Sequence, residues 1–238
     1  MPGSDVIPIP YRILALMQEQ NRLFAVPLEP LAESVREAGF RCDCCGRCCT
    51  RSVNRHIFLL DRDVTALRTI DPSACEPAPE PEFCDTNGMF YVSGYAMRMK
   101  DDAEGSCWFL KNGKCSIYDR RFSICRIYPH MFRRGTGASG EFGWQQFARK
   151  NRHGCYGMEY SDDQCMEVAR EIKEYEHAFL SQQIAFLERI DDHFAEHGLH
   201  HDPVAYKKGI ERFRQGKPVD IMVFHSGDFE LCRMTRAD

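Results

Sequence analysis

The sequence predicts an α+β fold in which a cysteine-rich half of short strands and irregular loops is followed by a helical extension. Three observations lead to it. Thirteen of the 238 residues are cysteine, and five of these fall between Cys42 and Cys49. Met89 to Lys100 is rich in Tyr, Val, Phe and Met, and Asn112-Gly113 downstream reads as a two-residue hairpin turn because both residues tolerate positive φ. Beyond residue 158 the pattern turns helical: Val168, Ile172, Tyr175 and Phe179, then Phe186, Ile190 and Phe194, recur at the spacing of one helix face.

The elements follow in chain order. Residues 1–10 read as a loose arm. Residues 29–38 form a short helix with Gly39 just past its end. After the cysteine cluster, Ile57-Phe58-Leu59-Leu60 reads as a buried strand, and Asp61 caps a helix carrying Val64, Leu67 and Ile70. Four prolines at 72, 77, 79 and 81 make residues 71–88 an extended surface loop. Residues 89–149 are expected to be mainly β-structure. Asp119 to Arg126 gives one or two helical turns that stop near Tyr128, because Pro129 disfavours helical geometry in the residue before it. Residues 159–197 form a long helix with Ser161 as cap, Gln164 at the capping-box position and Gly198 at the end. A second helix takes Asp202 as cap and Pro203 in its first turn, and Asp220 to Phe224 reads as a last strand. The expected division is a cysteine-cluster domain over residues 1–158 and a helical extension and tail over 159–238.

Composition bounds the function. With 43% hydrophobic and 28% charged residues the chain is an ordinary globular one, not a disordered or fibrous one. A net charge of −4 argues against a globally basic nucleic-acid binder. The first ten residues lack a basic segment, and prolines interrupt them, so they do not read as a signal peptide. No apolar run approaches the roughly 18 residues of a membrane helix. The expectation is a cytoplasmic protein with no membrane partner, whose cysteines sit in a reducing compartment and bind metal or do redox work. An odd cysteine count also excludes complete pairing within the chain. Charge is uneven: residues 111–153 carry ten Lys/Arg against two acids, and residues 159–197 carry eleven acids against three bases. These are read as two mutually attracting faces of one fold, with a docking surface for another protein as the alternative.

Cys42-x-x-Cys45-x-x-Cys48 carries the chemistry. Two intervening residues let successive sulfurs converge on one small object, and a C-x2-C-x2-C run completed by a remote thiolate is how bacterial ferredoxins hold an iron–sulfur cluster. Gly46 supplies the backbone freedom for such a wrap. Zinc accepts C-x2-C too, usually as two separated pairs, and no second pair occurs outside this segment. The reading is therefore an iron–sulfur centre, 4Fe–4S first, with zinc as the alternative. Neighbouring side chains diverge, so Cys49 is assigned to a second centre or to support of the first. Cys44 has no assigned role. Cys107, Cys115, Cys125 and Cys155 are further candidate ligands, small buried hydrophobes being the other reading. A thiolate-bound centre is anionic, so Arg120, Arg121 and Arg126 would offset its charge. Arg126, next to Cys125, is assigned hydrogen bonds toward ligand sulfur, against the alternative of a surface arginine paired with the acidic helix.

The motifs Gly105-Ser106-Cys107-Trp108-Phe109-Leu110, Cys115-Ser116-Ile117-Tyr118 and Arg121 followed by Cys125-Arg126-Ile127-Tyr128-Pro129, together with residues 42–49 and Cys155-Tyr156-Gly157, resemble the CxxCxxCC cysteine-cluster family. This is also called the YkgJ-like zinc- or iron-chelating domain. The resemblance covers about residues 40–157. It implies a chelating domain whose metal ligands are Cys42, Cys45, Cys48, Cys49, Cys107, Cys115, Cys125 and Cys155. Phe122 stands where the family usually has proline, and Cys44 is extra. Among weaker signals, the Gly-x-Gly-x-x-Gly of residues 135–140 lacks the strand-to-helix context of a nucleotide loop and reads as a glycine-rich hairpin. His153 reads as a polar surface residue, and Cys75, Cys165 and Cys232 as bystanders. The functions expected are an iron–sulfur protein in redox chemistry, maturation or modification of another protein, or a zinc-binding structural or interaction module without catalysis.

Overall fold

The computed structural model describes residues 7–136, 142–146 and 153–235. Helices α1 (Ile9–Ala25) and α2 (Leu28–Ala38) open the chain, followed by the cysteine loop, the short α3 (Arg51–Asn54), β1 (Phe58–Leu59) and α4 (Asp61–Ile70). Short strands come next: β2 (Cys75–Pro77), β3 (Phe83–Cys84), β4 (Phe90–Val92), β5 (Tyr95–Met97), β6 (Leu110–Lys111) and β7 (Lys114–Cys115). The one-turn α5 (Ser123–Ile127) precedes β8 (His130–Thr136) and β9 (Phe142–Gln146). The long α6 (Asp162–His197), α7 (Pro203–Arg214) and the hairpin β10 (Val219–His225) and β11 (Asp228–Met234) complete it. The fold is α+β. No helix among the described residues is long and apolar enough to cross a membrane.

The backbone of the architecture is α6, 36 residues and about 54 Å long at 1.5 Å per residue. Ser161 and Gln164 close its capping box and Gly198 ends it in a left-handed conformation. Its apolar face works in two halves. Cys165, Ala169, Ile172, Tyr175 and Leu180 pack with Leu23, Leu31 and Val35 of α1 and α2. Phe186, Leu187, Ile190 and Phe194 pack with Phe83, Tyr91 and Phe224 of the sheet. Between the halves the buried Gln182 donates to the Ser93 carbonyl at 3.1 Å and accepts from the Asp61 amide at 3.0 Å. That pin satisfies backbone groups that would otherwise be buried unpaired.

The principal sheet has the order β11-β10-β4-β3, with β10 parallel to β4 (Ile221 beside Phe90, Val223 beside Val92) and the other pairs antiparallel. Strands from either side of residue 158 therefore share one sheet. A second sheet, β1-β5-β2, lies beside it, and Leu59, Val64, Leu67, Val92, Met97, Ile221 and Val223 form the core under the cysteine region.

Three elements depart from the sequence reading. α1 starts at Ile9, inside the expected arm of residues 1–10, because Ile9, Ile13, Leu16 and Leu23 recur at helical spacing and pack inward; residues 1–6 of that arm lie outside the described residues. Residues 71–88 are not simply a surface loop. They supply β2 and β3, with Phe83 and Cys84 buried. Both strands are sheet edges, where proline is tolerated because no inner ladder needs its missing N–H. Asp61 lies inside the first turn of α4, whose cap is Leu60; its carboxylate instead accepts from the Ser226 amide at 2.9 Å.

Candidate metal centre

The cysteine loop is shaped by its own backbone. Its N-terminal end is anchored where Arg41 and Cys155 exchange two backbone hydrogen bonds of 2.8 Å. Cys44 (φ 61°) and Gly46 (φ 73°) both adopt positive φ, which curls the run; concavities of this sort recur at iron–sulfur sites. For Cys44 this conformation is strained, as residues at functional sites often are. Asp43 Oδ1 accepts from the Cys45 amide at 3.0 Å, and the Cys49 amide donates to the Gly46 carbonyl at 3.0 Å. Asn54 of α3 donates to the Cys48 carbonyl at 2.6 Å, and the Tyr118 hydroxyl to the Cys42 carbonyl at 3.1 Å.

The downstream cysteines are brought to this loop by three local devices. The Cys107 amide donates to the Cys49 carbonyl at 2.7 Å. The β6–β7 hairpin, turning at Asn112-Gly113 as its sequence predicts, pairs Leu110 with Cys115 and returns that residue toward Cys107. The first turn of α5 presents Cys125, whose amide donates to the Phe122 carbonyl at 2.9 Å; Phe122 itself is buried against Phe109.

The result is one cavity of about 770 Å³ whose wall includes Cys42, Cys44, Cys45, Cys48, Cys49, Cys107, Cys115 and Cys125. Seven of the eight sequence-predicted ligands meet there, joined by Cys44. Cys155 is not part of the wall, although its backbone pairs one residue before Cys42. Cys75, Cys84, Cys165 and Cys232 lie elsewhere. Cys45 is exposed, so the cavity is open to solvent on the loop side. The wall also includes the apolar side chains of Phe58, Val92, Met97, Tyr175 and Phe179. His153, read from sequence as a surface residue, also lines the cavity and is hydrogen-bonded to the Tyr128 hydroxyl. Of the glycine-rich turn, residues 137–140 lie outside the described residues.

Cys49 is the centre of the group. Its sulfur lies 4.0 Å from that of Cys48, so these neighbours converge where divergence was expected: they sit in a tight helical turn, not an extended strand. That contact first, then burial, pushes the Cys49 thiol far above its usual range. Burial, reinforced by a Cys49 thiolate, raises Cys42 and Cys115, pushes Cys107 up to about 11 and holds Cys125 well above the ordinary thiol value. Burial and mutual repulsion disfavour deprotonating several of these thiols at once, a cost that a metal cation among them would offset. Among the described residues no three cysteine sulfurs lie mutually within 4.8 Å. The donors on the wall are mainly soft thiols, with His56 and His153 beside them, and the set fits a thiolate-ligated metal or cluster.

Two arginines, Arg55 and Arg121, line the cavity. Arg121 stacks on the Tyr118 ring at 4.0 Å and donates to the Tyr118 carbonyl at 3.0 Å. Its charge favours the thiolate forms of Cys42, Cys49, Cys115 and Cys125. Arg126 is placed elsewhere. Successive residues on a helix point about 100° apart, so with Cys125 turned to the cavity Arg126 is exposed and stands 3.5 Å from Glu171 of α6. Arg121→Lys keeps the charge but loses the planar fork. It is expected to weaken metal retention by about tenfold or more, while Arg126→Lys leaves it unchanged; metal content after dialysis against a graded chelator series measures both.

No curated protein and no solved structure matches the chain. Residues 41–156 match the model of a family described as a "putative zinc- or iron-chelating domain". The matched stretch begins at the Arg41–Cys155 pairing that anchors the cysteine loop and contains every thiol of the cavity wall, so it is this cysteine-bearing stretch, just under half of the chain, that matches the CxxCxxCC family of zinc- or iron-chelating domains.

Proposed function

We propose that the cavity holds an iron–sulfur cluster, 4Fe–4S as the first choice, and that the protein uses it in redox chemistry, maturation or modification of another protein. The observation that carries this reading is the spread of the sulfurs: eight thiols ring one space, yet no three of those described close to within 4.8 Å of one another. A lone tetrahedral metal wants its sulfurs about 3.8 Å apart, from a metal–sulfur bond of about 2.3 Å. In a cubane each thiolate binds its own iron, so the ligands stand farther apart around a larger body. Arg121 would offset the negative charge of such a centre. The cavity, at about 770 Å³ and lined by Phe58, Tyr175 and Phe179 as well as the thiols, is large enough for a group of a substrate or partner protein beside the centre, which supports a role on another molecule. A cytoplasmic location belongs to the same reading.

The 4.0 Å contact of Cys48 and Cys49 favours a second reading, a zinc-binding structural or interaction module, because two thiolates on one zinc stand at nearly that separation. The test is metal and acid-labile sulfide analysis of anaerobically purified protein, with electron paramagnetic resonance before and after reduction. Brown protein with iron and matching sulfide is expected. Stoichiometric zinc in protein never exposed to oxygen, or iron without sulfide, overturns the cluster.

A further inference from the structure

The last turn of α6 carries a second group of metal-binding side chains, apart from the cysteine cavity. His193, Glu196 and His197 lie at i, i+3 and i+4, which puts them on one helix face. Each offers one donor atom, and the three atoms lie within 4.8 Å of one another. The sequence spells His-x-x-Glu-His, a spacing that one class of zinc enzymes uses for its metal-binding helix.

Hydrogen bonding prepares both rings. His197 Nδ1 lies 2.9 Å from the His193 carbonyl oxygen. A carbonyl only accepts, so Nδ1 carries the proton and the neutral ring keeps its lone pair on Nε2. His193 Nε2 lies 3.3 Å from the Tyr91 hydroxyl, which donates its own proton to Asp85 Oδ2 at 2.9 Å. Tyr91 then accepts from His193 Nε2–H, and the free lone pair falls on Nδ1. Asp85 is 2% exposed, and its other oxygen takes the amides of Asn87 and Met89, so the far end of the relay is fixed. Ligating histidines commonly give their other N–H to a carboxylate, carbonyl or water; here the Tyr91 hydroxyl, backed by the Asp85 carboxylate, takes that place. The two rings are 4.4 Å apart. Glu196 is exposed and stands 3.6 Å from Arg189, a contact loose enough to yield to a cation.

We propose that His193, Glu196 and His197 form a metal site for a zinc-class divalent ion, with Tyr91 and Asp85 as positioning residues and water completing the coordination. Two imidazoles and a carboxylate are a set that zinc and its first-row neighbours accept. The ion would clamp the end of α6 against β4 through the Tyr91 relay.

The test titrates Co²⁺ into the full chain with its cysteine centre already loaded. One added equivalent is expected, showing only weak ligand-field bands and none of the strong near-ultraviolet charge transfer of thiolate-bound cobalt. His197→Ala and Glu196→Gln, both at exposed positions, should weaken that equivalent by roughly tenfold or more, and Tyr91→Phe should weaken it while leaving the fold intact by circular dichroism. Absence of an added equivalent, a thiolate charge-transfer spectrum, or an affinity unchanged in His197→Ala overturns the site.

Discussion

Serine at Cys49 should strip the centre of its metal. Cys49 lies 4.0 Å from Cys48, shares a backbone hydrogen bond with Cys107, and its thiolate bears on Cys42, Cys107, Cys115 and Cys125. Losing an outer partner of a metal ligand costs about 10–100-fold in affinity, so losing a central ligand should exceed that. Where a site is absent from the unfolded chain, metal affinity is also folding free energy, and soluble yield should fall with metal content. The damage should be local. The core beneath the cysteines contains Cys107 and touches Cys49, Cys115 and Cys125, whereas the packing of α6 on α1 and α2 includes none of them. Hydrogen exchange of Cys49→Ser should show lost protection over residues 42–58 and 105–127 with α6 still protected. Cys165→Ser is the control: Cys165 is fully buried on α6 away from the cavity, so a buried hydroxyl there should cost about 1–3 kcal/mol and leave metal per folded molecule unchanged. Full metal content in Cys49→Ser would remove it from the ligand set.

Much of this was legible in the chain because the signals were local. The C-x2-C-x2-C run, the Asn112-Gly113 turn and the Ser161–Gln164 box each act over a few residues, and each appears where its chemistry puts it. Cys107, Cys115 and Cys125 were candidate ligands from the residues alone, the Asn112-Gly113 hairpin bringing the first two together; family resemblance strengthened their gathering at the loop, since sequence spacing says nothing of which distant segments meet. What escaped was set by tertiary pairing. β3 lies in a proline-rich stretch and exists because β4 offers an edge. β11 hides in a polar tail and follows from its seven-residue register with β10. Arg121 and Arg126 are alike by type, and only the local backbone separates them: Arg121 closes the short turn before α5 and lines the cavity, whereas Arg126 lies on α5 and faces Glu171. Cys44 had no role on spacing grounds, because its strained positive φ, which a pattern of residue names does not contain, accompanies its place on the cavity wall.

Alanine at Gly39 should be among the most damaging changes outside the cysteines. Gly39 ends α2 at φ 49° and ψ 41°, with its amide on the Val35 carbonyl. A left-handed conformation costs a side-chain-bearing residue about 1–2 kcal/mol. Here a Cβ would also stand 2.4 Å from the Met158 carbonyl oxygen and 2.6 Å from its amide nitrogen. Both are backbone atoms, so no rotamer change relieves the overlap and the 157–158 segment must move. That segment is tied by hydrogen bonds from Gly157 to the Ala38 carbonyl and from Met158 to the Gly39 carbonyl, and it continues into the Arg41–Cys155 pairing that anchors the cysteine loop. The expected loss is about 3–5 kcal/mol, the range of a severe single substitution. At roughly 2–4 °C per kcal/mol for a chain of this size, Tm should drop by at least about 6 °C. Metal retention should weaken as the loop loses its anchor. Gly216→Ala separates strain from overlap: Gly216 has φ 77° with nothing within 4 Å of the added Cβ, so it should show only the left-handed penalty and retain metal. If Gly39→Ala melts no lower than Gly216→Ala and holds its metal as well, the 157–158 strap is not what fixes the cysteine loop.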